Sequence, residues 1–276
     1  MEYSVIIKTQ ILMLALILAA CSSSEKAERP QQEQASLGKT TVVKANSAQK
    51  TKHTQETDST LVDALNNRDD EAIYRAASTQ LAQNSQDPMA LNAMGLYHLH
   101  KGRPLAAKLF FNKALSQKPN SSELHSNLGL VSLALKENRE AVHYFKKAIE
   151  LNPSDVAAGM NLASQYISNK DFNKAYPVLS LISSKVNRDL VFLNNYAVAA
   201  VATGKSDEAE HLYKDALKLN PNNREVLYNF AILQIDYQKK NREGLATLEL
   251  LKLLGLGEIM KANVITLEKR AKAGLQ

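Results

Sequence analysis

Six histidines are the side chains of this sequence most able to carry out acid–base or metal chemistry, but their spacing argues against both. His98 and His100 are two residues apart, so on a helix they face different directions and cannot share a metal ion. The other four occur singly, as His53, His125, His143 and His211. A glycine-rich phosphate loop, a Gly-x-Ser-x-Gly elbow and an HExxH motif are all absent from the sequence. We therefore predict solvated histidines, no metal ion, no cofactor, no small-molecule substrate and no enzyme activity.

A second set of polar side chains recurs at a constant spacing of 34 residues. These are four asparagines, namely Asn127, Asn161, Asn195 and Asn229. Each primary amide offers a donor and an acceptor, the pair needed to hydrogen-bond a peptide unit in both directions. The column therefore predicts a row of amides that hydrogen-bond to the backbone of an extended peptide. The alternative is that the asparagines serve the repeat structure itself.

The asparagine column is one of several columns in rows that begin at Pro88, Ser122, Val156, Leu190 and Arg224, with one inserted residue in the last row. The eighth position holds the small residues Gly95, Gly129, Ala163, Ala197 and Ala231, and the twentieth holds Ala107, Ala141, Ala175, Ala209 and Gly244. Large apolar residues fill the seventh position with Met94, Leu128, Leu162, Tyr196 and Phe230, and the twenty-fourth with Phe111, Phe145, Leu179, Tyr213 and Leu248. This alternation predicts two antiparallel helices per row that approach closely at the small residues.

These columns resemble the tetratricopeptide repeat family over residues 88–257. The resemblance implies an all-α, right-handed α-solenoid of five helix-turn-helix repeats, 88–121, 122–155, 156–189, 190–223 and 224–257. Pro177 lies near the start of the second helix of the third row, where we expect a kinked or shortened helix. We predict a divergent helical cap at 58–87, with Asp58 and Ser59 as N-caps, and a C-terminal capping helix within 258–276. In that last helix, Ile259, Val264, Ile265 and Leu267 are expected to cover the last repeat.

In the tetratricopeptide family, the first helices of the repeats line a concave groove that binds peptides. Together with the asparagines, the apolar residues that the resemblance places in this groove are Leu96, Leu130, Met160, Val198, Tyr228 and Ile232. An apolar floor suits an apolar peptide or an amphipathic helix. The lysines and arginines that form a carboxylate clamp in some members are missing, which disfavours capture of an acidic C-terminus.

The N-terminal segment is typical of a targeting sequence. An apolar run from Ile11 to Ala20 is too short to span a bilayer, and it ends in Leu-Ala-Ala-Cys. This tetrapeptide resembles a bacterial lipobox, which implies a signal peptide at 1–20 and a lipid on Cys21, the only cysteine of the chain. By the same resemblance, Ser22 implies retention at the outer membrane, facing the periplasm. Sparse apolar residues over 21–57 predict a disordered tether.

The distribution of charge narrows the class of partner. The formal net charge is +6, yet residues 58–257 carry 23 Lys and Arg against 21 Asp and Glu, without a basic stripe interleaved with aromatic residues. Nucleic-acid binding is therefore disfavoured.

Two hypotheses about the function remain. One is a membrane-anchored interaction scaffold for an envelope machine, similar to tetratricopeptide lipoproteins of pilus or secretin assembly and motility. The other is a non-catalytic regulator of a cell-wall synthesis or hydrolysis enzyme.

Overall fold

The computed structural model describes residues 52–186 and 189–276, and every regular element in these ranges is helical. The leader at 1–20, the lipidation site Cys21 and the tether up to residue 51 lie outside the described residues. The predicted all-α fold of repeated helix pairs is confirmed. Its helices are α1 (Lys52–Asn67), α2 (Asp70–Gln83), α3 (Pro88–His100), α4 (Pro104–Gln117), α5 (Ser122–Ala134), α6 (Asn138–Leu151), α7 (Val156–Ser168), α8 (Phe172–Ile182), α9 (Leu190–Ala202), α10 (Ser206–Leu219), α11 (Arg224–Ile232), α12 (Asn241–Leu253) and α13 (Glu258–Ala273).

The first helix of each pair begins at the first residue of a predicted row, and a side-chain cap explains this. The residue that ends the preceding row accepts a hydrogen bond from the backbone N–H three positions later, at 2.7 to 3.3 Å. Such caps satisfy donors that a helix N-terminus leaves free. The five capping residues are Asp87, Ser121, Asp155, Asp189 and Asn223.

The turn inside each pair also repeats. The fifteenth residue of the first four rows has a positive φ, between 62° and 79°, and these residues are Gly102, Lys136, Lys170 and Gly204. The N–H of the next residue then bonds a carbonyl five residues back, as from Glu137 to Ser132 at 2.8 Å. This is the Schellman arrangement that ends a helix. Each first helix therefore stops at the same point and turns back in the same way.

The small column lets the two helices of a pair approach closely. A Cβ built on Gly129 would lie 2.5 Å from Cε1 of Phe145, whose ring is fully buried. A Cβ built on Gly95 would likewise meet the ring of Phe111. The small eighth residue thus contacts the large twenty-fourth residue of the same row directly, a pairing that the sequence analysis did not predict.

The inserted residue of the last row is absorbed by a π-helical turn. Helix α11 continues as Leu233–Tyr237, and the N–H of Gln238 bonds the carbonyl of Leu233 at 2.9 Å. A π turn holds one more residue than an α turn. The residue of positive φ consequently moves to Lys239, and Gly244 returns to the small column against Ile235.

The third row is irregular, as Pro177 predicts. Helix α8 has 11 residues, against 14 in α4, α6 and α10, and it ends in the 3-10 turn Ser183–Lys185. Proline removes one backbone donor from the helix and crowds the preceding turn.

The described residues divide into two compact units, 52–162 and the remainder from 163, with the boundary inside α7.

Both ends of the array differ from prediction in detail. Helix α1 begins at Lys52, so the boundary placed at residue 57 is wrong, and Asp58 lies inside the helix instead of capping it. No proline or glycine interrupts residues 52–67, so nothing stops the helix from extending backwards. In α13, Val264 and Leu267 are buried as predicted, but Ile265 is 45% exposed. The buried stripe instead continues to Ala271.

Candidate binding surface

The asparagine column is partly turned inward. In the N-terminal unit, Asn127 is buried, and its Nδ2 donates to Oδ1 of Asn92 at 2.9 Å. Asn92 in turn donates to Oε1 of Glu123 at 2.7 Å. The Asn127 amide is therefore buried and donates to the preceding repeat.

The same network recurs three repeats later, in the C-terminal unit. Asn229, which is 2% exposed, donates to Asn194 at 3.1 Å, and Asn194 donates to Glu225 at 2.8 Å. Burial raises the pKa of the Glu225 carboxyl, against the lowering effect of the bond from Asn194. The expectation that Asn127 and Asn229 face an open groove is wrong, since each pairs with an asparagine of the preceding repeat.

A signal for these networks is present in the sequence. Each combines an asparagine at the fifth position of one row with an asparagine at the sixth and a glutamate at the second position of the next row. Where the sixth-position asparagine is Asn161 or Asn195, the preceding fifth position holds Ser126 or Met160. Asn161 and Asn195 are half-buried, and their contact with a peptide stays a prediction.

Apolar side chains on the first helices remain partly open. In the N-terminal unit, Leu96, Leu130 and Met160 are all half-buried. Val198 is half-buried in the C-terminal unit. Each of these residues keeps apolar surface in contact with solvent, as a peptide-binding floor requires.

Tyr228 and Ile232 are not part of such a surface. Both are 2% exposed and pack in one cluster with Val264, Leu267 and Ala271 of α13. The Arg270 guanidinium lies 3.0 Å from the Asp236 carboxylate, which fastens α13 to the π turn. The prediction that Tyr228 and Ile232 line the groove is wrong because α13 covers them.

Ion pairs join consecutive second helices. Nζ of Lys108 lies 2.8 Å from Glu137 and 3.1 Å from Glu140 of the next repeat. In the last two repeats, Glu210 accepts from Lys214 at 2.7 Å and from Lys240 at 2.6 Å. These cations, with Gln238, lower the pKa of Glu210 to about 2. The pairs made by Lys108 and Lys240 each link two neighbouring repeats, whereas Lys214 lies on the same helix as Glu210.

The histidines do not converge on a site within the described residues. Burial lowers the pKa of His98, whose ring stacks on Phe110 with centroids 5.2 Å apart. Nδ1 of His100 lies 3.0 Å from Asp70, while His143 and His211 are exposed. Among the residues whose side chains the structure describes, no three His, Cys, Asp or Glu group as metal ligands would. None of the described helices is long and apolar enough to cross a bilayer.

Comparison with known proteins agrees with this geometry. The tetratricopeptide repeat family matches residues 122–155, and the coatomer epsilon subunit family matches 157–253. Human protein O-mannosyl-transferase TMTC3 is 31% identical over 179 residues, which are 63% of this chain and 19% of that protein. Type IV pilus assembly protein PilF of Pseudomonas aeruginosa is 26% identical over 143 residues, 51% of this chain and 56% of PilF. The chain thus spans less than two thirds of these relatives.

Solved structures share the fold. YrrB, described as a tetratricopeptide protein with an unusual peptide-binding site, superposes with a TM-score of 0.64 at 16% identity, over 70% of this chain and 98% of YrrB. MamA of Desulfovibrio magneticus RS-1 gives 0.54 at 16% identity, over 60% of this chain and 94% of MamA. Scaffolds of this fold typically bind proteins and are non-catalytic. Residues 122–155 match the tetratricopeptide repeat family, and the fold of the described chain is all-α and built from helix pairs like those of YrrB.

Proposed function

We propose that this protein is a non-catalytic scaffold that binds an apolar segment of a protein partner along the first helices of its repeats. The observation that carries the proposal is the set of half-buried apolar side chains Leu96, Leu130 and Met160 in the N-terminal unit. Asn127 donates to Asn92 and Asn92 donates to Glu123, which leaves fewer free polar groups to compete with the apolar side chains for a partner. An apolar face of this kind suits an amphipathic helix or an apolar peptide.

We place this scaffold in the bacterial cell envelope, anchored by a lipid on Cys21 and facing the periplasm from the outer membrane. The Leu-Ala-Ala-Cys sequence and Ser22 support the anchor and its location. Similarity to PilF, a type IV pilus assembly protein, supports a partner in a pilus, secretin or motility machine. A stable hold on the membrane follows from several acyl chains at about 0.8 kcal/mol per buried CH₂.

Crosslinking tests the binding surface. A photo-reactive residue at Leu130 should capture the partner in intact cells, and Leu96→Gln with Leu130→Gln should weaken its binding. Losing an apolar contact of about 1.5 kcal/mol at each site predicts roughly a tenfold loss for each substitution. Asn112→Gln, on an exposed part of α4, is the control and should bind normally.

The identity of the captured partner decides between the two hypotheses. A component of a pilus, secretin or motility machine supports the proposal. A cell-wall synthase or hydrolase would replace it with the regulator hypothesis. Full binding by a correctly folded double variant would show that the working surface lies elsewhere.

Lipid labelling tests the anchor separately. Cys21→Ser should abolish incorporation of labelled palmitate and release the protein from the membrane fraction, because no second cysteine is available. Continued labelling of the variant would contradict the anchoring proposal without affecting the binding surface.

A further inference from the structure

The outer face of α4 carries two leucines that no part of the described chain covers. Leu105 is 72% exposed and Leu109 is 55% exposed. They are four residues apart, so they lie side by side on one face of the helix. The equivalent residues of other regular repeats are polar, namely Arg139 and His143 in α6, and Asp207 and His211 in α10. The apolar face is therefore specific to the repeat at 88–121.

The same repeat is the most basic part of the array. Residues 88–121 contain five Lys and Arg and no Asp or Glu. Lys101 and Lys108 are paired with carboxylates of neighbouring helices. The other three cations, Arg103, Lys113 and Lys118, are exposed and form no ion pair with any residue that the structure describes. Unpaired positive charge thus lies on both sides of the two leucines along the chain.

We infer that this outer face of α4 docks onto an anionic membrane surface. Two leucines with flanking cations are the elements of an interfacial helix, in which apolar side chains enter the headgroup region and cations stay at the phosphates. Each lysine or arginine near an anionic leaflet adds about fivefold to partitioning. The inference goes beyond the proposed binding surface and requires neither that surface nor the lipid on Cys21.

Other occupants fit this face less well. Two leucines among polar residues supply far less apolar area than the roughly 1,000 Å² that a specific protein interface buries. A bilayer needs no matching pocket and presents diffuse negative charge. The chain's own segment 22–51 carries five Lys and Arg against three Asp and Glu, so its charge does not complement the face.

A single tryptophan reports docking directly, because the natural sequence contains none. Leu109→Trp places the reporter on the proposed face, and His143→Trp places it at the equivalent exposed position of the next repeat. With vesicles of phosphatidylglycerol and phosphatidylcholine, Leu109→Trp should show a blue-shifted emission and quenching by brominated lipid. His143→Trp should show neither. Both reporters are in the full chain, so attachment through any other segment affects them equally.

Charge is tested on the Leu109→Trp background. Adding Arg103→Gln or Lys113→Gln should raise the vesicle concentration for a half-maximal shift about fivefold for each cation removed. Pure phosphatidylcholine should give little shift. Equal responses of the two reporters, or an equal shift on pure phosphatidylcholine, would overturn the proposal. A Leu109→Trp shift that needs an acidic protein instead of vesicles would also overturn it and assign the face to a protein partner.

Discussion

Gly129→Ala tests whether the spacing within a repeat is set by the contact between the eighth and twenty-fourth residues. In an unconstrained helix this substitution would stabilise the protein by about 1 kcal/mol, because alanine is the better helix former. In this structure the new Cβ would lie 2.5, 2.7 and 2.8 Å from three ring atoms of Phe145. These three distances are well inside van der Waals contact, so the Phe145 ring or the helix that carries Gly129 must move.

The magnitude follows from how little room Phe145 has. Its side chain is fully buried, as are its neighbours Ala141 and Ala148 on the same helix, so the ring has no solvent to enter. Overpacking of this kind costs about 1 to 3 kcal/mol, and we place this site at the upper end. After the helix-propensity gain, Gly129→Ala should destabilise the protein by about 2 kcal/mol, which lowers the Tm by about 4 to 8 °C.

A double-mutant cycle isolates the contact. Gly129→Ala with Phe145→Leu reproduces the natural pair Ala163 and Leu179 of the next repeat. The double variant should recover about 1 to 2 kcal/mol relative to the sum of the single variants. Urea unfolding followed by circular dichroism measures all four proteins.

The opposite sign for Gly129→Ala would refute this reasoning. The row at Leu190 tolerates Ala197 with the aromatic Tyr213 at its twenty-fourth position. If Gly129→Ala stabilises the protein by about 1 kcal/mol, the two helices adjust their spacing freely, and the small column reflects helix packing only loosely.

Three further outcomes are expected. Ala141→Leu, at a fully buried position of the small column, should lower the free energy of unfolding by about 1 to 3 kcal/mol. Lys146→Leu, on the exposed face of the same helix, is the control and should change stability little. Equal losses of stability in thermal melts of the two variants would show that the register is wrong. Asn194→Ala removes the acceptor of the buried Asn229 amide and should cost about 1 to 3 kcal/mol in urea unfolding, and an unchanged midpoint would show that water replaces the bond without cost. The folded pKa of Glu210 is about 2 and its ordinary value is 4.5, so its ionised form stabilises the protein above about pH 4.5. This contribution, about 1 kcal/mol after allowance for solvent screening, is lost as the pH falls towards 2. Glu210→Gln should remove this pH dependence of stability, and identical pH profiles of the two proteins would contradict the prediction.

The start of each repeat could be predicted from sequence because local rules determine it. A cap such as Asp155, a left-handed residue such as Lys136 and a small residue such as Ala141 each act on their own helix or on the adjacent one. The columns therefore contained the information that the fold needed. Pro177 was informative for the same reason, since its effect on α8 is local.

The candidate surface was harder to predict because it depends on contacts between repeats. The orientation of Asn229 is decided by Asn194, 35 residues earlier, and the sixth column taken alone does not show this partner. The burial of Tyr228 depends on α13, whose placement no repeat column specifies. Asn161 and Asn195, which lack an asparagine at the preceding fifth position, are the members of the column for which groove contact stays a prediction.

The π turn at Leu233–Tyr237 has a consequence for how such an array can change its length. One extra residue in a continuous α-helix would rotate everything after it by about 100° about the helix axis and scramble the packing faces downstream. Here the extra residue is held within a single turn, and Gly244 still meets Ile235. The end of a first helix is therefore a place where single-residue insertions and deletions can arise in evolution, or be engineered, without disturbing the helices that follow.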